Sequence, residues 1–270
     1  MKPWIFILIG CWFGLLSCTR QLGPATVGAN VPAFPTITPD AFERARLNVH
    51  AMYESGATYH EEDVNQLGYV FLEGQAPFSY RNIFGIPRTD LISLYFGFAA
   101  GQYQLNHPCY AAMGGKLPYH AITGGFSVTP YFDSFGDGWQ VLPSVGLGLG
   151  SEIGRYPETA TEFNCTYETG QIFSTLSEDL PDRINSISLP ITIGLSKQLN
   201  DTRNIVLRYN WTAGGGHETL GVRQSIAFET TTNRLALRFN LGWLRYNAFE
   251  VPFRPLVGGV GATFVLTPPR

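Results

Sequence analysis

The chain has 270 residues and a formal net charge of −3, and 14% of its residues are charged, against roughly 25% in a typical soluble protein. A nearly neutral chain without a basic stripe argues against nucleic-acid binding. Lysine occurs only at Lys2, Lys116 and Lys197, so the sequence lacks the Lys-rich surface that a soluble domain ordinarily presents to water.

The first residues have the pattern of an export signal. Lys2 precedes an apolar run, Trp4 to Leu16, which is too short to cross a bilayer as a helix. The end of that run, Leu15-Leu16-Ser17-Cys18, resembles the lipobox of bacterial lipoproteins. The resemblance implies a signal peptide at residues 1–17, palmitate and other lipid on Cys18, and sorting to the outer membrane. An ordinary signal peptide with a chance cysteine is the alternative.

Residues 18–46 are rich in proline and predict a linker from the lipid anchor. Within it, Asp40 is placed to cap one or two helical turns over Ala41 to Leu47.

Residues 47–270 predict one domain, an antiparallel up-and-down β-barrel of about ten strands. The clearest stretch runs from Asn185 to Arg245, where large apolar and small polar residues alternate. A period of two is typical of a strand with one apolar and one polar face. Because the stretch from His60 to Asp90 is poorly patterned, eight or twelve strands remain alternatives.

Composition indicates whether the apolar face of the barrel wall meets lipid or the interior. The polar face carries Ser, Thr, Gly and Asn with scattered Arg, as in a crowded barrel interior, and the aromatics Tyr131, Trp139, Trp211 and Trp243 lie towards strand ends. These features predict a transmembrane barrel with lipid outside and aromatic girdles at the bilayer surfaces. A soluble periplasmic lipoprotein with a barrel or sandwich fold is the rival, since aromatic residues also pack in soluble cores.

The connectors support the membrane interpretation. Short predicted connectors follow the even-numbered strands, and the long ones, 102–118 and 151–184, follow odd-numbered strands, as in barrels of the bacterial outer membrane. The final Gly261 to Leu266 resembles the assembly signal of that class, although the chain continues to Arg270. An even strand number places both termini in the periplasm.

Two cysteines remain after export and lipidation, Cys109 and Cys165. Both fall in predicted outer loops, so the sequence predicts a disulfide between them, with two free thiols as the alternative.

Charged residues on the predicted inner face form a candidate lumen network. Its members are His50, Glu54, Arg208, Arg223, Glu229, Arg234 and Arg238. The hairpin near Thr231 predicts Glu229 opposite Arg234. Such groups fill a narrow interior by pairing with one another; the alternative is an Arg-lined conduit that prefers anions.

Other chemistry has weaker signals. Acidic residues crowd the predicted loops, from Glu61 to Asp63 and from Glu152 to Asp182, where they either bind cations or a basic ligand or are simply solvated. His217 and Glu218 form a candidate rim site beside a glycine run, and His is the usual general base. No catalytic motif, metal-ligand set or cofactor-binding loop is present in the sequence.

The sequence therefore predicts an outer-membrane lipoprotein in contact with the lipid bilayer. We expect a non-enzymatic barrel that is structural or binds an external ligand through its outer loops. The alternatives are a narrow pore or transport channel and a barrel hydrolase acting at the rim.

Overall fold

The structure, a computed structural model, describes residues 35–57, 64–104, 116–153, 164–168, 171–175, 183–216, 219–246 and 256–266. The strands are β1 Arg46–Ala57, β2 Val64–Arg81, β3 Pro87–Gln104, β4 Lys116–Pro130, β5 Trp139–Ile153, β6 Asn164–Glu168, β7 Gln171–Thr175, β8 Arg183–Asn200, β9 Arg203–Gly216, β10 Thr219–Thr232, β11 Leu235–Tyr246 and β12 Leu256–Val265. Among the described residues, no helix is both long enough and apolar enough to cross a membrane.

Ten strands form one closed antiparallel barrel, in which neighbours in the chain pair in space. β5 pairs with β8, and the intervening β6 and β7 form a separate two-stranded sheet. β1 pairs with β12 from Asn48↔Val265 to Gly56↔Val257. This last pairing closes the sheet and removes its edges. The predicted ten-stranded up-and-down barrel is confirmed.

The two faces of the barrel wall differ in polarity. Along β8, Ile187 and Ile193 are each 59% exposed on the outer face, whereas Ser188 and Thr192 are buried on the inner face. β4, β5, β9 and β11 repeat this alternation. An apolar outside around a polar inside is the polarity of a transmembrane barrel, because a soluble barrel buries its apolar face. The predicted orientation of the faces is confirmed.

The two ends of the barrel differ in their connections. At one end, hereafter the turn side, strands are joined through residues 82–86, 131–138, 201–202 and 233–234. The turn from β2 to β3 is ordered by Asn82, whose Oδ1 accepts the backbone N–H groups of Phe84 and Ile86, each at 3.0 Å. The opposite end, the loop side, carries the connection from β5 to β8.

Two stretches predicted as loops contain strands. The predicted outer loop 151–184 includes the end of β5, the β6–β7 hairpin and the start of β8. The predicted loop from Gly214 to Leu220 includes the end of β9, where Gly216 pairs with Thr219. Glycines have no side chain to alternate between faces, so a pattern of side chains does not reveal that part of the ladder.

Glycines on the inner face receive bulky side chains from neighbouring strands. A Cβ added at Gly97 would lie 2.0 Å from Cδ1 of Phe71. Added Cβ atoms at Gly125 and Gly148 would lie 2.5 and 2.7 Å from the hydroxyl oxygen of Tyr95. These glycines therefore make room for aromatic rings inside the barrel and do not widen a pore.

Candidate functional site

The first buried charge cluster is centred on Glu54, whose carboxylate accepts four hydrogen bonds. Arg223 donates from both terminal nitrogens, at 3.0 Å to Oε2 and 2.5 Å to Oε1. Asn240 donates to Oε1 at 2.6 Å, and the hydroxyl of Tyr69 donates to Oε2 at 3.2 Å. This bidentate pairing joins β1 to β10 across the lumen, which compensates the cost of burying both charges.

The second cluster is centred on Glu229, which is fully buried. Arg238 donates Nε at 2.8 Å and a terminal nitrogen at 2.6 Å to Oε2. The guanidinium of Arg208 lies 3.8 Å from the other carboxylate oxygen and makes no hydrogen bond within the described part of the chain. Two guanidinium groups therefore share one carboxylate, and Arg208 is the less satisfied of the two.

The third cluster surrounds Glu73 on β2. Nε2 of His50 lies 2.7 Å from Oε2 of Glu73, and Nδ1 of the same ring lies 2.8 Å from the hydroxyl of Thr263. Asn48 donates to the carboxylate at 3.1 Å and Gln75 at 3.0 Å. This cluster links β12, β1 and β2, next to the turn-side mouth.

The sequence prediction was wrong about Arg234. Glu229 pairs with Arg238, while Thr231 pairs with Ala236. The turn therefore falls at Asn233 and Arg234, two residues later than predicted. The hydroxyl of Thr232 accepts the backbone N–H of Leu235 at 2.9 Å and holds this position. Arg234 is exposed in the turn between β10 and β11 and is not part of the lumen clusters.

Sequence reasoning missed Glu73, and its placement of Glu152 in the acidic outer loop was wrong. Glu152 belongs to β5, and both carboxylates are buried on the inner face. On β2 the inner face also carries Leu67, Tyr69 and Phe71, so apolar residues occur on both faces of that strand. This breaks the alternation that would have placed Glu73 inside.

Residues 35–45, hereafter the plug, lie inside the turn-side mouth. Ile37 and Ala41 are buried against three inward-facing apolar residues, Leu91 of β3, Leu142 of β5 and Val206 of β9. Each of the three lies near the turn-side end of its strand in the inward phase. This signal can be interpreted only once the spatial neighbours of the strands are known. The plug thus contacts strands on opposite sides of the barrel.

Polar contacts fix the plug to β1, β2 and β10. The side chain of Gln75 donates to the carbonyl of Thr36 at 3.2 Å, and the hydroxyl of Thr231 donates to the carbonyl of Ile37 at 3.4 Å. Asp40 pairs with Arg44 at 2.6 Å and also with Arg46. Over these residues the expected tether is a packed segment, and the expected helix is a set of turns over 39–43.

A cavity of about 400 Å³ lies beside the plug at the same mouth. Thr38, Phe42 and Glu43 line it from the plug. The barrel contributes polar side chains, among them Gln140, Ser196, Gln198 and Asn204.

Several predicted site residues lie outside the described residues: Cys18, Cys109, His217, Glu218 and the acidic stretch from Glu61 to Asp63. Cys165 lies in β6, opposite Ser174. Among the described residues, no group of three or more His, Cys, Asp and Glu side chains is arranged to hold a metal ion.

Together, the closed order of ten strands, the apolar outer face and the charge-paired lumen define a transmembrane β-barrel of the outer-membrane class. No family model and no curated protein matches the sequence.

Solved structures of similar shape are bacterial outer-membrane barrels. The β-domain of the Bordetella autotransporter BrkA has a TM-score of 0.44 and 9% identity, over 82% of this chain and 99% of that one. The transport unit of the Escherichia coli autotransporter AIDA-I has a TM-score of 0.40 and 10% identity, over 90% and 99%. An outer-membrane channel from Pseudomonas putida F1 has a TM-score of 0.37 and 8% identity, over 91% and 100%. All three scores are low, so the class rests on this chain's own strand order and polarity.

Proposed function

We propose that this chain is a bacterial outer-membrane lipoprotein whose barrel is a closed scaffold that presents its loops at the cell surface for binding. The observation that carries this proposal is the filled interior. The plug occupies the turn-side mouth, and paired charges and aromatic rings occupy the lumen between the plug and the loop side. An open pore would need hydrated space along its axis, so a filled lumen favours a structural or binding role.

The proposed lipid on Cys18 is compatible with the position of the plug. The plug precedes β1 at the turn side, which in barrels of this class faces the periplasm. A lipid on Cys18 would then lie in the inner leaflet, and the chain between the lipid and the plug would stay on the periplasmic side.

Three measurements test the proposal. In planar bilayers the purified full-length protein should add no conductance to the baseline. In a Gram-negative host it should remain in carbonate- and urea-washed outer membranes and migrate differently on a gel before and after heating. Labelling with a palmitate analogue should disappear in Cys18→Ala. Steady conductance of the wild-type protein would overturn the closed scaffold.

The second candidate is a narrow channel that the plug closes. The plug is held by few apolar contacts and several hydrogen bonds, and Arg208, Arg223 and Arg238 lie deeper in the lumen. Ile37→Asp would place a charge among Leu91, Leu142 and Val206, which should expel the plug.

In a plugged channel, Ile37→Asp should produce conductance with a preference for anions. Glu43→Gln is the matched control, because Glu43 is exposed on the plug and its replacement leaves the apolar contacts intact. A folded Ile37→Asp protein without conductance would reject the channel and leave the scaffold.

A further inference from the structure

The cavity beside the plug has the size and the chemistry of a ligand site. Its volume of about 400 Å³ falls within the roughly 300–1,000 Å³ of typical small-molecule pockets. The floor contains Ser196 and Asn204, which are buried, and the rim contains Tyr131 and Gln198, which are exposed. The cavity is therefore accessible to water at its rim, and its floor is formed by buried side chains.

The lining is polar and almost uncharged. Three amide side chains, Gln140, Gln198 and Asn204, and the hydroxyls of Thr38 and Ser196 contribute hydrogen-bonding groups. Glu43 is the one charged residue among the lining residues that the structure describes. A phosphate or another anion would lack a cationic partner, and a divalent cation would lack the several oxygen ligands it prefers. The lining thus suits a neutral ligand with many hydroxyl groups.

One acceptor in the floor is left unsatisfied. Asn204 is 7% exposed, and its Oδ1 has no hydrogen-bond partner within the described residues. A buried carbonyl oxygen without a partner is unfavourable, so a ligand hydroxyl that donates to it would remove that penalty and strengthen binding. Amides both donate and accept, which matches hydroxyl groups, since each hydroxyl also does both.

An aromatic pair forms one wall. The rings of Phe42, on the plug, and Tyr131, after β4, meet edge to face with centroids 5.0 Å apart. Aromatic rings offer apolar surface of low conformational entropy cost, against which the C–H face of a sugar ring can pack. An aromatic wall and neutral hydrogen-bonding groups in one cavity are the combination that a saccharide requires.

We propose that the turn-side cavity binds a saccharide unit, with Asn204 and Gln198 hydrogen-bonding its hydroxyls and Phe42 packing against its ring. This site lies at the opposite end of the barrel from the outer loops, so it is independent of what those loops bind. The sugar comes either from the glycan of the cell wall or from a soluble neutral oligosaccharide, since both present the same chemistry.

Calorimetric titration of the full-length protein tests the site. The detergent must carry no sugar headgroup, so an amine-oxide detergent is required. The probes are N,N′-diacetylchitobiose, a neutral disaccharide of N-acetylglucosamine that represents the cell-wall glycan, maltotriose and, as an amide-rich rival, trialanine. Saturable binding of a saccharide is expected, and its preference for the disaccharide or for maltotriose identifies the source.

Two variants and one matched control tie the binding to the cavity. Asn204→Leu and Gln198→Ala should each weaken saccharide binding by about fivefold to tenfold, as expected for one lost hydrogen bond. Gln198 is exposed, so its variant keeps the proposal testable if Asn204→Leu does not fold. Asn233→Ala removes an amide in the turn from β10 to β11, outside the cavity, and should leave binding unchanged.

Three results would overturn the proposal. The first is the absence of saccharide binding up to about 10 mM. The second is binding of trialanine alone. The third is equal saccharide affinity in the wild type and both cavity variants.

Discussion

The lumen is built from two unlike walls. The inner faces of β1, β9, β10 and β11, the charged wall, carry Glu54, Arg208, Arg223, Glu229 and Arg238. The inner faces of β4, β5 and β8, the small-residue wall, carry mainly Gly, Ser and Thr, with Glu152 near the loop end of β5 as the charged exception among the described residues.

The difference shows how a narrow lumen is filled: long side chains extend from the charged wall, and small residues on the other wall leave space. Long side chains of the charged wall need both a partner and space. Gly194 of β8 lies beside Arg208, where an added Cβ would be in ordinary contact with Cγ of that arginine at 3.5 Å and closer to Leu142, at 3.3 Å. On the other flank, Tyr95 of β3 lies across Gly125 and Gly148. Electrostatic pairing therefore controls one wall, and steric fit controls the other.

The largest effect is expected from breaking a charge pair. Glu54→Gln leaves Arg223 buried without its carboxylate, which should lower the free energy of unfolding by about 3–5 kcal/mol. Urea titration of the barrel in vesicles, followed by tryptophan fluorescence, measures this loss.

The double variant Glu54→Gln/Arg223→Met serves as the control for that loss. It removes both charges, so it should recover at least half of the lost stability. If the double variant is as unstable as the sum of the two single variants, the pair is not coupled, and pairing does not govern the charged wall.

A lipid-facing substitution should not distinguish the two walls. Ile193 of β8 and Leu241 of β11 both face outwards, on strands of different walls. Replacing either with Arg should cost about 2–4 kcal/mol near the membrane midplane, because the bilayer, and not the lumen, sets the penalty. The same urea titration applies. A cost that differs by more than twofold between these positions would mean that the lumen side of the wall contributes to it.

On the small-residue wall, two glycines should respond differently to Ala. At Gly125 the added Cβ would lie 2.2 Å from the backbone oxygen of Leu147, whereas at Gly148 the nearest atoms are two hydroxyl oxygens, Oγ of Ser188 at 2.4 Å and Oη of Tyr95 at 2.7 Å. Hydroxyl groups move more easily than backbone. Overpacking usually lowers the free energy of unfolding by about 1–3 kcal/mol. The loss should be near the upper end of that range for Gly125→Ala and near the lower end for Gly148→Ala.

Tyr95→Phe separates these two cases. Removing the hydroxyl should relieve part of the cost of Gly148→Ala and little of the cost of Gly125→Ala, as measured by unfolding in urea. Equal relief at both positions would show that the tyrosine hydroxyl, and not the backbone, limits the space over both glycines.

The sequence predicted the strands of the two walls better than β2, which lies between those walls in the barrel. Period-two alternation located β8, β9 and β11 and the inward phase of Arg208 and Arg238, because one large and one small residue alternate there. It could not locate the inner face of β2, where Leu67 and Phe71 are apolar yet point inwards over Gly101 and Gly97 of β3. The plug was missed for a related reason. Its contacts with Leu91, Leu142 and Val206 join residues far apart in the chain, and no local pattern reports them.

The smallest loss of unfolding free energy is expected at Gly85, in the turn from β2 to β3. It serves as a reference for the losses at Gly125 and Gly148. Gly85 has a φ of 75°, and nothing lies within 4 Å of an added Cβ. Gly85→Ala therefore measures backbone strain alone, about 1 kcal/mol, whereas the wall glycines measure packing. Gly85→Asn should cost less, because Asn tolerates the left-handed conformation. Gly85→Ala and Gly125→Ala would lower the free energy of unfolding equally in the same urea titration only if strain and packing cannot be separated in this barrel. That result would mean that steric fit contributes less to the small-residue wall than its close contacts indicate.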